Sequence, residues 1–215
     1  MKKYILFDFD GTIADTGDGI TNSVAYALKK MGLDAGTREE RCRFIGPPLK
    51  GSFEKYHGLS SLDADRAVEL YREYYREKGM LDCFLYDGIK ELIDYLNASE
   101  CKVVIASSKP HIFVKRIIEH FDMTDSFALI AGSELDGTMV DKAEVIEYAM
   151  TSLGIPSNEA VMVGDKEHDI IGAKKNGVIN VGVSYGYGSR QELENAGADY
   201  IADSAYELQT IIDSL

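Results

Sequence analysis

Aspartates, lysines and small hydroxyl residues stand at the ends of several apolar runs in this chain. The first group is Asp8-Phe9-Asp10-Gly11-Thr12, which closes the run beginning at Tyr4. Two aspartates two residues apart point the same way from a strand, so a strand continuing through them aims both carboxylates into one site. Gly11 then lets the chain turn sharply away. A strand end that needed only solvating acids would not require DFDGT. Three more groups follow: Ser107-Ser108-Lys109-Pro110 after VVIA, Lys142 in VDKAEVIEYA, and Gly164-Asp165-Lys166-Glu167-His168-Asp169 after AVMV.

The overall charge limits what such groups can act on. With 23 Lys and Arg against 36 Asp and Glu, the formal charge is -13, which opposes a nucleic-acid polymer or an anionic membrane as partner. A small anion is still admissible if a few lysines and a divalent cation hold it against the field of the whole protein.

The elements that must position these groups are legible in the spacing of apolar residues. Short runs at 4–9, 103–106, 128–131, 160–163 and 180–183 read as strands buried on both faces. Between them lie helical patterns: Ile89, Leu92, Ile93, Leu96; Phe113, Ile117, Ile118, Phe121; and Val145, Ile146, Ala149, Leu153 before Gly154. The alternation predicts an α/β fold, a parallel sheet with helices on both faces. In such sheets ligands collect at the carboxyl ends of the strands, where the polar groups above stand.

Residues from about 18 to 79 break that rhythm, with helix signals and no convincing strand. Ile20, Val24, Leu28 and Met31 form one stripe, Thr37 with Glu40 has capping-box spacing, and a long helix from Ser61 to about Gly79 carries Val68, Tyr71, Tyr74 and Tyr75. The chain is therefore expected to fold as a core of residues 1–15 and 85–215 with an all-helical insert at 16–84. The Tyr and Phe stripes of the insert are expected to be core packing.

Cys42, Cys83 and Cys101 are odd in number and widely spaced, so no disulfide framework is expected. Asp8 and Asp10 interrupt the N-terminal apolar stretch before it reaches the length of a signal peptide, and no run approaches a membrane span. These features point to a cytoplasmic protein, monomeric or homodimeric.

Taken in order, DFDGT, the serine and lysine of SSKP, Lys142 and the GDxxxD form at Gly164–Asp169 resemble the four motifs of the haloacid dehalogenase superfamily, most of whose members are phosphatases. One such motif is a weak signal and four in order are a strong one. The resemblance covers nearly the whole chain and implies a Rossmann-like core with a helical cap. It implies attack on a phosphate ester by Asp8, and proton transfer by Asp10 to the leaving alcohol and from the attacking water. It also implies a Mg²⁺ ion held by the side chains of Asp8 and Asp165 and the carbonyl of Asp10, with Asp169 completing the outer shell or orienting Lys142. Ser107 and Lys142 would hold phosphoryl oxygens, with Gly11, Thr12, Ser108 and Lys109 lining the same site.

The leaving alcohol should be chosen by the cap, where Arg43-Phe44-Ile45-Gly46-Pro47-Pro48-Leu49 forms a rigid loop between helices. IGPPL, YREYYREKG, LYDGI, SELDG and YGYGS resemble a bacterial subgroup of 5′-nucleotidases and phosphoglycolate phosphatases. A nucleotide needs a flat apolar surface, for which Phe44 is the candidate; phosphoglycolate needs a cation, for which Arg43 or Lys50 would serve. A phosphotransferase or mutase would use the same Asp8. A non-catalytic binding protein would be expected to have lost at least one of Asp8, Asp10, Lys142 and Asp165, and none is lost. A phosphonate-cleaving enzyme would need a reactive cap lysine, Lys50 or Lys55. The four histidines share no spacing and read as surface or capping groups, with His168 inside the fourth motif as the exception to watch.

Overall fold

In the computed structural model, which describes residues 2–215, the first apolar run forms strand β1 (Tyr4–Phe7), whose Ile5, Leu6 and Phe7 are fully buried. A short strand β2 (Ala14–Asp15) leads into four helices, α1 (Gly17–Lys30), α2 (Arg38–Arg41), α3 (Leu49–His57) and α4 (Ser61–Glu77), and β3 (Phe84–Leu85) forms a two-stranded sheet with β2. Strands and helices then alternate as α5 (Ile89–Ala98), β4 (Lys102–Pro110), α6 (His111–His120), β5 (Leu129–Ser133), α7 (Lys142–Leu153), β6 (Ala160–Gly164), α8 (Glu167–Lys175), β7 (Ile179–Val183), α9 (Arg190–Ala196), β8 (Tyr200–Ala202) and α10 (Ala205–Ser214).

The chain divides into two compact units, one made of residues up to Ala14 together with Leu85–Leu215, the other of Asp15–Phe84. In the first, six strands form a parallel sheet in the order β5-β4-β1-β6-β7-β8, the Rossmann-like arrangement of an α/β fold. β1 lies between β4 and β6, pairing Phe7 with Ile105 on one side and Val163 on the other. The sheet order reverses here, and a ligand can enter between the strand ends. One face is packed by Leu6, Val104, Ala106 and Met162 against Val145, Ile146 and Ala149 of α7 and Ala173 of α8. Each large side chain so enclosed contributes about 1.5–3 kcal/mol.

Strand β1 is shorter than the expected 4–9. The Asp8 N–H continues the ladder by one bond to the Val163 carbonyl at 2.8 Å, after which the Phe9 carbonyl collects the N–H groups of Thr12, Ile13 and Ala14 and closes a turn. Gly11 sits at φ +83° within it, a conformation that a side chain would strain. Asp8 and Asp10 therefore do not share a strand face. In the other direction, β4 outruns the expected 103–106 and reaches Pro110, with a register shift between Ser107 and Pro110. The edge strand β8 was not anticipated. It has three residues and its Tyr200 is exposed, too little pattern to register as a strand.

The second unit is all helical apart from its share of the short strand pair. Ile20, Val24 and Leu28 of α1 and Ala64, Ala67, Tyr71 and Tyr75 of α4 are buried at helical spacing, and α4 packs against both α1 and α3. Thr37 and Glu40 form the capping box their spacing suggests, and the Ser60 hydroxyl caps α4 by accepting the Asp63 N–H. Among the described residues no helix is long and apolar enough to cross a membrane. Cys42, Cys83 and Cys101 are free thiols.

Candidate active site

The site forms at the carboxyl ends of β1, β4 and β6, because the sheet register sets Asp8 beside the ends of its two neighbours. Lys142, the first residue of α7, reaches this point: its Nζ lies 2.7 Å from Asp8 Oδ1 and 2.9 Å from Asp169 Oδ1, and donates to the Ala106 carbonyl at 3.0 Å. Burial works to deprotonate the ammonium, but the Asp169 and Asp8 carboxylates outweigh it and raise the pKa above the ordinary lysine value. Asp169, in the first turn of α8, is oriented by the Lys166 N–H, which donates to its Oδ2 at 3.0 Å.

Asp165 follows β6 directly and is 1% exposed. Its Oδ2 accepts the backbone N–H groups of Tyr187 at 2.7 Å and Gly188 at 3.3 Å, while its Oδ1 is buried without a hydrogen-bond partner. Burial, then the neighbouring charges of Asp169 and Asp8, push its pKa well above the usual carboxylate range. Burial likewise raises Asp169, to about 6, against the opposing pull of Lys142.

Oxygen atoms of Asp8, Asp165 and Asp169 all lie within 4.8 Å of one another. Three buried carboxylates around one ammonium leave an excess of two negative charges when all are ionised, which one divalent cation would balance. The unpartnered Asp165 Oδ1 is an oxygen that such a cation would satisfy. The donor set, all oxygen and anionic, suits Mg²⁺.

Asp10 is the first residue inside the turn and pairs with a different lysine: Lys109 Nζ lies 2.9 and 3.1 Å from its two carboxylate oxygens, both side chains buried. Lys109, expected to line the phosphate site, is instead the buried partner of Asp10, brought there by the extension of β4 past Ala106. The Ser107 hydroxyl is buried and accepts the Lys109 N–H at 3.3 Å, and the Ser108 carbonyl accepts from the Ser133 hydroxyl at 2.8 Å. Gly11 lies against Asp165, since a Cβ there would fall 2.3 Å from Asp165 Oδ2. Thr12 is fully enclosed, its hydroxyl without a hydrogen-bond partner and its carbonyl accepting from the Tyr185 hydroxyl.

Other sequence candidates stand elsewhere. His168 is exposed. Lys166 donates to the Tyr187 carbonyl at 3.1 Å and lies 3.8 Å from Glu192. In the helical unit Phe44 is 2% exposed, its ring packed on Phe53, Tyr56 and His57, so it belongs to that unit's core and offers no open apolar face. The Arg43 guanidinium stands 4.4 Å over the Tyr56 ring and makes no ion pair among the described residues, whereas Lys50 is paired with Asp65. Gly46 takes φ +98° in the loop before α3.

The loop from Ser184 to Ser189, between β7 and α9, holds Asp165, and sequence reasoning gave it no role at the site. The available signal was Gly186 and Gly188 flanking Tyr187 immediately after an apolar strand, a spacing that exposes consecutive N–H groups.

Known proteins share this arrangement of motifs and fold. The model of the family described as haloacid dehalogenase-like hydrolase matches residues 5–183. A crystal structure of a predicted phosphatase from Clostridium acetobutylicum superposes with a TM-score of 0.97 at 45% identity, over 100% of both chains. A 5′-nucleotidase of Pseudomonas aeruginosa is 40% identical, covering 98% of this chain and 95% of its own. A protein named tyrosine-protein kinase PtkA, from Mycobacterium tuberculosis, is 31% identical over 94% of this chain and 69% of its own.

Proposed function

The chain belongs to the haloacid dehalogenase-like hydrolase family and is a phosphatase, and on that premise we propose that it hydrolyses a small phosphate monoester through an aspartyl-phosphate on Asp8, with Mg²⁺ as cofactor. The observation that carries this reading is the buried cluster of Asp8, Asp165 and Asp169 closed by Lys142. Asp8, Asp165 and the Asp10 carbonyl would hold the cation, with Asp169 behind them. When bound, Mg²⁺ screens the charge of the ester so that a carboxylate can approach it.

Asp8 attacks phosphorus as the bond to the leaving oxygen breaks, and Asp10 gives that oxygen its proton. Asp10 then takes a proton from water, which attacks the aspartyl-phosphate and releases inorganic phosphate and free Asp8. Lys142 and the Ser107 hydroxyl hold the phosphoryl oxygens as charge builds on them. Lys109 fixes the orientation of Asp10 through its two short contacts. Pairing with different lysines, Asp8 with Lys142 and Asp10 with Lys109, suits the two aspartates to the separate tasks of nucleophile and proton carrier.

A nucleoside 5′-monophosphate is the favoured substrate, supported by the 40% identical 5′-nucleotidase. Its base would need a ring other than Phe44, which is committed to packing. Phosphoglycolate is the second reading, favoured by Arg43, an arginine without a carboxylate partner. Segment Asp15–Phe84 would serve as the substrate-selecting cap. The three free cysteines favour the cytoplasm as the setting.

The test is release of inorganic phosphate from nucleoside monophosphates, phosphoglycolate, sugar phosphates and pyrophosphate, with and without Mg²⁺, using Asp8→Asn as blank. A favoured substrate should reach a kcat/KM of at least about 10⁴ M⁻¹s⁻¹ with Mg²⁺. Activity in Asp8→Asn close to that of the parent would refute the mechanism. Isomer or phosphoprotein formed without inorganic phosphate would instead make the chain a phosphotransferase.

A further inference from the structure

The loop that holds Asp165 is itself held, and its anchor is a tyrosine hydroxyl. Tyr185 donates to the Thr12 carbonyl at 3.1 Å, on the turn that follows the nucleophile Asp8. One residue on, Gly186 is pressed between that turn and Asp165: a Cβ there would lie 2.2 Å from the Gly11 carbonyl oxygen and 2.5 Å from Asp165 Cβ. Tyr187 and Gly188 then deliver their N–H groups to Asp165 Oδ2. Gly188 must also be glycine, since a Cβ would fall 1.7 Å from the Asp165 carbonyl. With Oδ2 taken by the loop, Oδ1 is the oxygen left buried and without a partner in the cluster with Asp8 and Asp169.

The Tyr185 ring packs on Tyr86, at 5.0 Å between centroids, and the Tyr86 N–H donates to the Ile13 carbonyl at 3.1 Å on the same turn. One phenol thus joins the turn carrying Asp8 and Asp10, the loop clamping Asp165, and the segment just after β3. Burial, Asp165 and Tyr86 all keep the phenol protonated, so it remains a donor across the working range of pH.

We propose that Tyr185 is a positioning residue for the metal site: its bond to Thr12 fixes the 185–188 loop so that Asp165 presents Oδ1 to the cation. The inference rests on the Mg²⁺ reading above and assigns the loop a task the reaction itself does not require, setting how tightly the cation is held. Tyr185 touches neither substrate nor cation in this role. Its loss therefore alters metal affinity more than it alters the chemical step at saturating metal.

Isothermal titration of the substrate-free protein with MgCl₂ tests this, comparing wild type with Tyr185→Phe, which keeps the ring on Tyr86 and removes only the hydroxyl. Loss of one hydrogen bond predicts a Mg²⁺ Kd raised about three- to tenfold. The Mg²⁺ concentration giving half-maximal phosphate release should rise in parallel, with kcat at saturating Mg²⁺ changed less than about twofold, because the chemistry is untouched. Gly186→Ala should weaken Mg²⁺ binding further, because its Cβ must displace either the turn or Asp165. A Tyr185→Phe protein with the wild-type Kd for Mg²⁺, or one whose kcat falls while its Kd stays put, overturns the positioning role. Wild type that takes up no Mg²⁺ at all fails the underlying reading and the inference with it; wild type that binds beside an unaffected Tyr185→Phe fails only the inference.

Discussion

Replacing Asp165 by Asn should make the protein more stable and less useful. The carboxylate is 1% exposed, faces Asp8 and Asp169, and leaves Oδ1 without a partner. An asparagine keeps an oxygen for the Tyr187 and Gly188 N–H groups and turns an amide toward the neighbouring carboxylates, removing a buried like charge. Relieving one buried polar atom of its missing partner is worth about 1–3 kcal/mol. At about 2–4 °C per kcal/mol for a chain of this size, the melting temperature in EDTA should rise by roughly 4–8 °C if the gain is near 2 kcal/mol. Mg²⁺ reverses the order: at a hundred times its Kd it stabilises wild type by about 2.7 kcal/mol and should leave Asp165→Asn where it was.

The pH dependence of the EDTA gap has a fixed sign. The folded protein binds a proton at Asp165 more readily than the unfolded chain does, because the folded pKa is raised from 3.8. Wild type therefore loses stability as pH rises from about that ordinary value through the raised one, and the advantage of Asn opens over the same window. Differential scanning fluorimetry across pH, with EDTA or MgCl₂, reads all three effects. An Asp165→Asn protein that melts at or below wild type in EDTA at neutral pH would refute the electrostatic account of the site.

Other substitutions separate chemistry from folding. Lys142→Met leaves Asp8 and Asp169 buried beside each other without their cation, and should cost about 3–5 kcal/mol in urea denaturation as well as all measurable turnover. Asp10→Asn should lower kcat by about 10²–10⁴-fold while the protein still binds Mg²⁺ in calorimetry. Phe44→Ala should destabilise the protein by about 3–5 kcal/mol through loss of packing on Phe53, Tyr56 and His57, seen in thermal melts without any ligand.

The sheet and most of the site could be read from the sequence because both follow short local patterns. Doubly buried strands announce themselves as apolar runs, and the polar residues that end them stand out against that background. What could not be read depends on distance. That Asp8 and Asp10 do not share a strand comes from the early end of β1 and the turn closed on the Phe9 carbonyl, and the pairing of Asp10 with Lys109 from a strand running past its last apolar residue. The clamp on Asp165 uses backbone N–H groups, which every residue carries, so only the glycines around Tyr187 could have signalled it. Phe44 is a candidate for an open apolar surface in the sequence because no stripe accounts for it, whereas it ends a 3₁₀ turn, Cys42–Phe44, that folds its ring onto Phe53, Tyr56 and His57.

The order of strands also governs when this site can exist. β1 is made first, yet its two neighbours are β4 and β6, more than ninety and more than a hundred and fifty residues later. Segment Asp15–Phe84 emerges from the ribosome whole and has its own apolar interior, whereas the sheet must hold its central strand in waiting until residue 163 has been made. Contacts so distant along the chain form slowly. Asp8 therefore spends much of synthesis without Asp165 and Asp169, and a nascent chain halted before β6 carries Asp8 without the other two carboxylates of the cluster. Capture of Mg²⁺ would then mark the moment at which the fold closes.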